Sequence, residues 1–177
     1  MILSLVEDSR PTSIIQVDEN FYVMKSFDQL LFCFEPYILP DYEEFLVVPG
    51  KTFLPNGDIV LAEFTKSFND VNDLGECLIP LEYLPLKIRN KKDGDKIILP
   101  NLSGHKKLKK VFLEKKVPVY LRNHWPVVFM NRAPKEILWV PNLVRTKQLN
   151  NEKQVETFVK LTFITSTYLG GANNGNS

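Results

Sequence analysis

The stretch PLKIRNKKDGDKIILPNLSGHKKLKKVFLEKKVP, residues 85–118, alternates short apolar runs with groups of lysine. Leu86–Arg89 and Lys96–Leu99 have the length and flanks of strands, and Asp93-Gly94 between them is a turn signal. Ser103 and Gly104 then introduce a helix. Ser103 is its expected N-cap, and the helix runs to about Lys116, stopping ahead of Pro118. On a helical wheel Leu108, Val111 and Phe112 form one apolar stripe, while Lys106, Lys109 and Lys110 fall on the far side together with Leu113.

Seven lysines stand between Gly94 and Pro118. On a helix, like charges at the i,i+4 spacing of Lys106 and Lys110 cost a few tenths of a kcal/mol, and a helix selected for stability alone would interleave glutamates. Glu114 is the one acid within the expected helix. The wider charge map has the same slant. Residues 1–85 hold 15 Asp and Glu against 4 Lys and Arg, residues 86–125 hold 12 bases against 3 acids, and residues 126–177 hold 6 against 3. A net of −11 is thus followed by +9 and +3, hidden inside a formal total of +1. A basic segment this long concentrates polyanions, and nucleic acid is the polyanion it fits best, because affinity there comes from neutralising phosphates. The competing arrangement folds the acidic half over the basic half and neutralises it within the chain.

Outward from this stretch the chain reads as β structure. In SIIQVDENFYVMKSFDQLLFCFE, residues 13–35, apolar residues alternate at Ile15, Val17, Phe21 and Val23, and again at Leu30, Phe32 and Phe34, with the polar DEN as a turn. A strand at Phe45–Val48 and a Pro49-Gly50 turn follow, and Asn56-Gly57 is the strongest hairpin signal in the chain. Downstream, PVVFM and EILWVP flank the turn NRAPK, and QVETFVKLTFITSTYL alternates as a closing strand. Trp125 and Trp139 are either base-stacking platforms or core, and the apolar run LWVP favours core for Trp139.

A chain of 177 residues with 44% hydrophobic and 24% charged content buries a core of its own. No apolar run reaches the roughly 20 residues that span a bilayer, so no membrane partner is expected. Cys33 and Cys77 lack Cys or His neighbours at metal-ligand spacing and read as buried thiols of a reducing cytoplasm, with a disulfide as the alternative. His105 and His124, the two histidines, are far apart in sequence, which leaves a hydrolase or nuclease without a proton-transfer constellation.

Three segments carry a family resemblance: PLKIRNKKDGDKI (85–97), GHKKLKKVFLEKKVPVYLRNHWPVVF (104–129) and ILWVPNLVR (137–145). Together they resemble the C-terminal domain of bacterial tRNA(Ile)-lysidine synthase. The pattern there runs from a strand with Arg through a basic turn ending Gly-Asp, a Gly-x-Lys-Lys-Leu-Lys helix and an x-Pro-x-x-x-Arg segment to a Trp-Val-Pro strand. The sequence departs from it twice. The usual Arg-Pro-Gly-Asp turn is Lys92-Asp93-Gly94-Asp95, and the usual Gly after Trp-Val-Pro is Asn142, with Leu143-Val144 ahead of Arg145. The resemblance implies an enzyme that uses ATP to adenylate the wobble cytidine of tRNA(Ile) and joins lysine to it. Its PP-loop motif, Ser-Gly-Gly-x-Asp-Ser, is absent here, where the one Gly-Gly pair is Gly170-Gly171. The chain is therefore expected to be the tRNA-handling portion of the synthase, not catalytic alone. No cofactor is expected in this chain, ATP and Mg belonging to the catalytic domain.

The expected partners are tRNA(Ile), contacted at its acceptor stem, the N-terminal PP-loop domain, and a second copy in a homodimer, all in the cytoplasm. The RNA-binding residues implied by the match are Arg89, Lys92, Lys106, Lys107, Lys109, Lys110, Arg122 and Arg145. A stand-alone RNA-binding module is the alternative, and the editing-associated domain of the phenylalanyl-tRNA synthetase β chain is a comparison at the level of fold alone. The expected fold is α+β, mostly mixed or antiparallel sheet in a sandwich-like arrangement, with one main basic helix near 104–116. Residues 1–84 are expected as an acidic β-rich subdomain, 85–167 as the basic tRNA-binding domain and 168–177 as a flexible tail.

Overall fold

The computed structural model describes residues 2–10, 12–19, 21–34, 40–66, 71, 73–100, 102–146, 149 and 157–166; the expected tail, 168–177, lies outside them. Every strand pairing among them is antiparallel, and the helices are few and short.

The chain opens with a short helix, α1 (Ile2–Glu7), and a meander of β1 (Thr12–Asp18), β2 (Phe21–Ser26) and β3 (Gln29–Phe34). The turn expected at DEN falls at the β1–β2 junction: Asp18 ends β1, Glu19 is in a turn, Phe21 opens β2, and Asn20 lies outside the described residues. Leu5 of α1 and Val23 of β2 are both buried, and the Lys25 ammonium ties helix to sheet by donating to the carbonyls of Val6 and Asp8 at 3.1 and 2.6 Å.

Two larger sheets then form a sandwich. One has the order β13 (Val144–Arg145), β12 (Ala133–Val140), β11 (Pro126–Met130), β8 (Leu86–Asn90), β4 (Glu43–Phe45). The other has the order β5 (Gly50–Phe53), β6 (Ile59–Thr65), β14 (Phe158–Ile164), β7 (Glu76–Pro80). Leu86, Ile88, Val128, Met130 and Leu138 of the first sheet meet Val60, Ala62, Ile79, Val159 and Leu161 of the second in one buried cluster. Trp139 belongs to this core with no exposed surface, and its indole N–H donates to the Leu74 carbonyl at 3.0 Å. Cys77 is buried in the same cluster, and desolvation pushes its thiol up to about 12. The neutral thiol is not nucleophilic, so Cys77 is expected to resist a disulfide-exchange reagent at pH 8 in the folded protein and to react promptly in denaturant. Equal rates in both states would contradict its burial.

The opposite face of the first sheet is covered as well. β9 (Lys96–Ile98) pairs with β10 (His105–Lys107), and with α2 (Leu108–Glu114) they bury Ile97, Leu108, Val111 and Phe112 against Val127, Ile137 and Val140. All five residues of β11 are buried. A strand covered on both faces needs no polar alternation, which is why PVVFM is an unbroken apolar run.

Several expectations are corrected in detail. The main helix spans Leu108–Glu114 and not 104–116, because residues 105–107 form a strand ladder with β9. Gly104, at φ +102, turns the chain into that strand, so Ser103 caps nothing; Lys107 occupies the N-cap position without a side-chain cap, and the Leu108 amide donates to the Asp95 carbonyl at 2.9 Å. The helix ends in a Schellman arrangement. Lys116 takes φ 53, its amide donates to the Leu113 carbonyl at 3.1 Å, and the Val117 amide donates to Phe112 at 2.9 Å.

The strand expected at Phe45–Val48 is β4, Glu43–Phe45, and residues 46–49 carry the chain from one sheet to the other. Pro49 has no N–H with which to continue a ladder. Asn56-Gly57 does make the β5–β6 hairpin, with Gly57 at φ +88 and its amide donating to Leu54 at 2.9 Å. The last strand, β14, lies between β6 and β7, and β4 pairs with β8. The hydrogen-bond ladders thus cross residue 84 in both sheets. Among the described residues, no helix is long and apolar enough to cross a membrane.

Candidate nucleic-acid interface

The basic residues divide by what their side chains touch. Arg89 projects from β8 on the face opposite Leu86 and Ile88, stacked over the Phe129 ring at 5.1 Å. Its guanidinium donates to both Asp95 oxygens at 2.8 and 2.9 Å and to the Asn90 carbonyl at 2.9 Å. Asp95 also accepts the Lys92 amide at 2.7 Å, so one carboxylate fixes the turn after β8 to the strand itself. Arg122, in α3 (Val119–Arg122), donates from Nε to the Val117 carbonyl at 2.8 Å, and its guanidinium lies 6.0 Å from the Phe27 ring; burial pushes its pKa down. Arg145 donates to the Val71 carbonyl at 2.7 Å and to that of Asp73. Leu74 and Gly75 next to it are gripped as well, Leu74 by the Trp139 indole and the Asn142 amide and Gly75 by the Phe163 amide. All three arginines therefore have intramolecular partners, and Arg145→Ala is expected to lower the unfolding free energy by about 1.5–3 kcal/mol. A denaturant midpoint unchanged in Arg145→Ala would contradict that clamp.

The lysines differ. Lys107, Lys109 and Lys110 are exposed and make no ion pair among the described residues. Lys107 lies on β10, while Lys109 and Lys110 occupy the first turn of α2, whose other side buries Leu108, Val111 and Phe112. Lys106 points the other way from Lys107 on β10 and pairs with Glu114 of the helix. Lys92 and Lys87 share Glu43, at 3.5 and 3.2 Å, and the Lys87 ammonium holds that carboxyl below the usual carboxylate range. The acidic half thus neutralises part of the basic segment at one carboxylate of β4 and leaves Lys107, Lys109 and Lys110 to solvent.

A polar cleft of about 470 Å3 lies beside these lysines, lined by Arg89, Asp93, Asp95, Lys96, His105 and Lys135 among others. Lys96, His105 and Lys135 were not among the residues the family match picked out. Lys96 is visible once the strand register is known, since it stands directly opposite Lys107. Lys135 comes to the cleft on β12, far away in sequence, and no local signal marks it. Trp125 is not a free stacking platform: its ring packs 6.1 Å from Phe112 and its N–H donates to the Pro141 carbonyl at 3.0 Å. Among the described residues no group of three or more His, Cys, Asp or Glu stands together as metal ligands.

Residues 86–160 match the family model described as the TilS substrate C-terminal domain. The chain is 34% identical over 152 residues to a tRNA(Ile)-lysidine synthase of Geobacillus kaustophilus (strain HTA426), covering 82% of this chain and 32% of that protein. It is 29% identical over 150 residues to that of Bacillus subtilis (strain 168), with 81% and 31% covered. A bifunctional protein TilS/HprT of Listeria innocua is 28% identical, with 82% of this chain and 22% of that protein covered. Among solved structures, a crystal structure of a TilS C-terminal domain superposes with a TM-score of 0.65 at 29% identity, over 71% of this chain and 98% of that one. The chain spans about a third of the length of the first two of these curated relatives.

Proposed function

Since residues 86–160 carry the C-terminal domain of the tRNA(Ile)-lysidine synthases, we propose that this chain holds tRNA(Ile) for an ATP-dependent ligation of lysine to its wobble cytidine. The contact is with the acceptor stem, in the cytoplasm, while a PP-loop domain supplies the chemistry. ATP and magnesium belong to that domain. The residues of this chain do not fit them, having neither the Ser-Gly-Gly-x-Asp-Ser motif nor, among the described residues, a metal-ligand group.

The observation that carries this reading is the exposure of Lys107, Lys109 and Lys110 on β10 and the start of α2, without an ion pair among the described residues and backed by the buried Leu108, Val111 and Phe112. An A-form stem presents phosphates and 2′-hydroxyls on a regular surface, and a protein reads it largely by shape. Lys107, Lys109 and Lys110 meet phosphate directly, with Lys92 and Lys106 at the margins, where each also serves an internal carboxylate. Arg89 and Arg122 act from behind by holding the turn after β8 and the end of α2, while Arg145 clamps Val71 and Asp73 within the sandwich.

Self-association is part of the proposal. The outer face of the β5–β6–β14–β7 sheet exposes Phe53 and Ile164, both aligned with Ile59. A second copy stacked about a two-fold axis parallel to the strands sets β5 over β7 and β6 over β14, bringing Lys51 and Glu63 to Glu76 and Lys160, which already pair with each other within a copy at 2.6 Å.

Competition between tRNA(Ile) and an unrelated tRNA for the chain, followed across a salt series, tests the function. Preference for tRNA(Ile) that survives rising salt is expected of the synthase reading. Equal competition throughout would leave a general RNA-binding module. Phe53→Asp is expected to shift sedimentation from dimer to monomer, and a wild-type chain that sediments as a monomer would remove the two-fold contact.

A further inference from the structure

The cleft between the 91–95 turn, the β9–β10 hairpin and the start of β12 is not explained by a flat grip on a stem. Its two acids are already satisfied: Asp95 by Arg89 and the Lys92 amide, Asp93 by Lys91 at 3.0 Å. What remains at the rim is Lys96, His105 and Lys135, all exposed and without an ion pair among the described residues. Lys96 and Lys107 stand directly opposite each other across β9 and β10, where like charges repel unless an anion lies between or above them. The hairpin thus holds two ammonium groups together at a cost to its own stability.

Size and shape restrict the ligand. About 470 Å3 falls in the range in which small molecules are enclosed and exceeds what a bare phosphate fills. A duplex is too wide to enter a concave site of this size, so an RNA stem can reach it only with its end. At a 5′ end the phosphate is a monoester carrying about −1.5 to −2 charges near neutral pH, against −1 for each backbone diester. Several convergent cations suit the former.

We propose that this cleft receives the 5′-terminal nucleotide of an RNA helix, with Lys96 and Lys135 flanking its terminal phosphate and His105 closing the side. The inference rests on the RNA-binding reading above and adds to it a site for the chain end, distinct from the lysines of α2 that grip the backbone.

The test uses one RNA hairpin in two forms, with a 5′-monophosphate and with a 5′-hydroxyl, and measures binding of each to the chain. Wild type is expected to bind the phosphorylated form about 10-fold more tightly, a difference of the size expected from one or two charge-assisted contacts. In the Lys96→Ala/Lys135→Ala double variant that ratio should fall to about 1, with affinity for the 5′-hydroxyl form nearly kept. Lys109→Ala/Lys110→Ala is expected to weaken both forms alike and preserve the ratio. Equal binding of the two forms by wild type would overturn the cleft assignment while leaving the lysine surface standing. Failure to bind either form would overturn the RNA-binding reading itself. Adenosine 5′-monophosphate bound more tightly than the phosphorylated hairpin would assign the cleft to free nucleotides, which also overturns the proposal.

Discussion

Trp139→Ala is expected to lower the unfolding free energy by about 3–5 kcal/mol, the range for removing a fully buried aromatic side chain. Trp139 has no exposed surface and sits among Leu138, Val128 and the residues of the facing sheet. The substitution opens a cavity between two sheets whose backbones are each held by ladders, so the walls cannot collapse to fill it. It also leaves the Leu74 carbonyl without its indole donor, in a segment that Arg145, Asn142 and Phe163 hold in place. Domains of this size are stable by only about 5–15 kcal/mol, so the variant should show a greatly lowered denaturant midpoint with little change in slope. Trp139→Phe, which keeps most of the volume and loses the donor, should recover more than half of the loss. A midpoint for Trp139→Ala within experimental error of wild type would mean that the sandwich core is placed wrongly.

Arg89→Ala is expected to cost a similar amount, about 3–5 kcal/mol, for a different reason. The Arg89 and Asp95 side chains are only 6% and 11% exposed, and the pair is bidentate. Removing the guanidinium strands a carboxylate in a desolvated site and strips the Phe129 ring of its stacking partner. Asp95→Ala strands the cation instead and frees the Lys92 amide as well. The double variant Arg89→Met/Asp95→Leu, with no charge left to strand, should be closer to wild type than either alanine variant, because the penalty lies in the uncompensated charge. Additive losses in the double variant would show that the pair is not coupled. RNA binding should fall in Arg89→Ala in step with the folded fraction, unlike the effect of changing an exposed lysine.

Much of this architecture is legible in the sequence where the determinant is local. Asn56-Gly57 encodes its hairpin through the backbone conformations those residues tolerate, and PVVFM announces a strand buried on both faces. Leu108, Val111 and Phe112 mark the buried side of a helix correctly, but their spacing does not say where it begins. Nothing in GHKK distinguishes a strand from a first helical turn until Lys96–Ile98 arrives as a pairing partner. The same limit explains the placement of β4 beside β8 and of β14 between β6 and β7, since pairing over such distances depends on which sheet faces the core and not on any one segment.

For the candidate site, the sequence shows where charge is and hides what answers it. Arg89, Lys107, Arg122 and Lys110 look alike in a charge map. Asp95 lies six positions after Arg89, yet only the turn at 91–95 brings its carboxylate back onto the strand. Arg145 finds its acceptors in backbone carbonyls more than seventy residues away, which no charge pattern encodes. Lys135 is the converse case, an isolated lysine on an exposed strand end that the fold delivers to the cleft.

The central claim is that the exposed lysines of β10 and α2 meet phosphate. Equilibrium binding of tRNA(Ile) to wild type and to the Lys107→Ala/Lys109→Ala/Lys110→Ala variant, measured over a salt series, tests it most directly. Thermal melting of the variant alongside shows that the fold is kept. Each lost phosphate contact should shrink the slope of log affinity against log salt by roughly 0.7–0.9, so three contacts remove about 2–3 units of slope and most of the affinity at low salt. A folded variant with the affinity and salt slope of wild type would contradict the account.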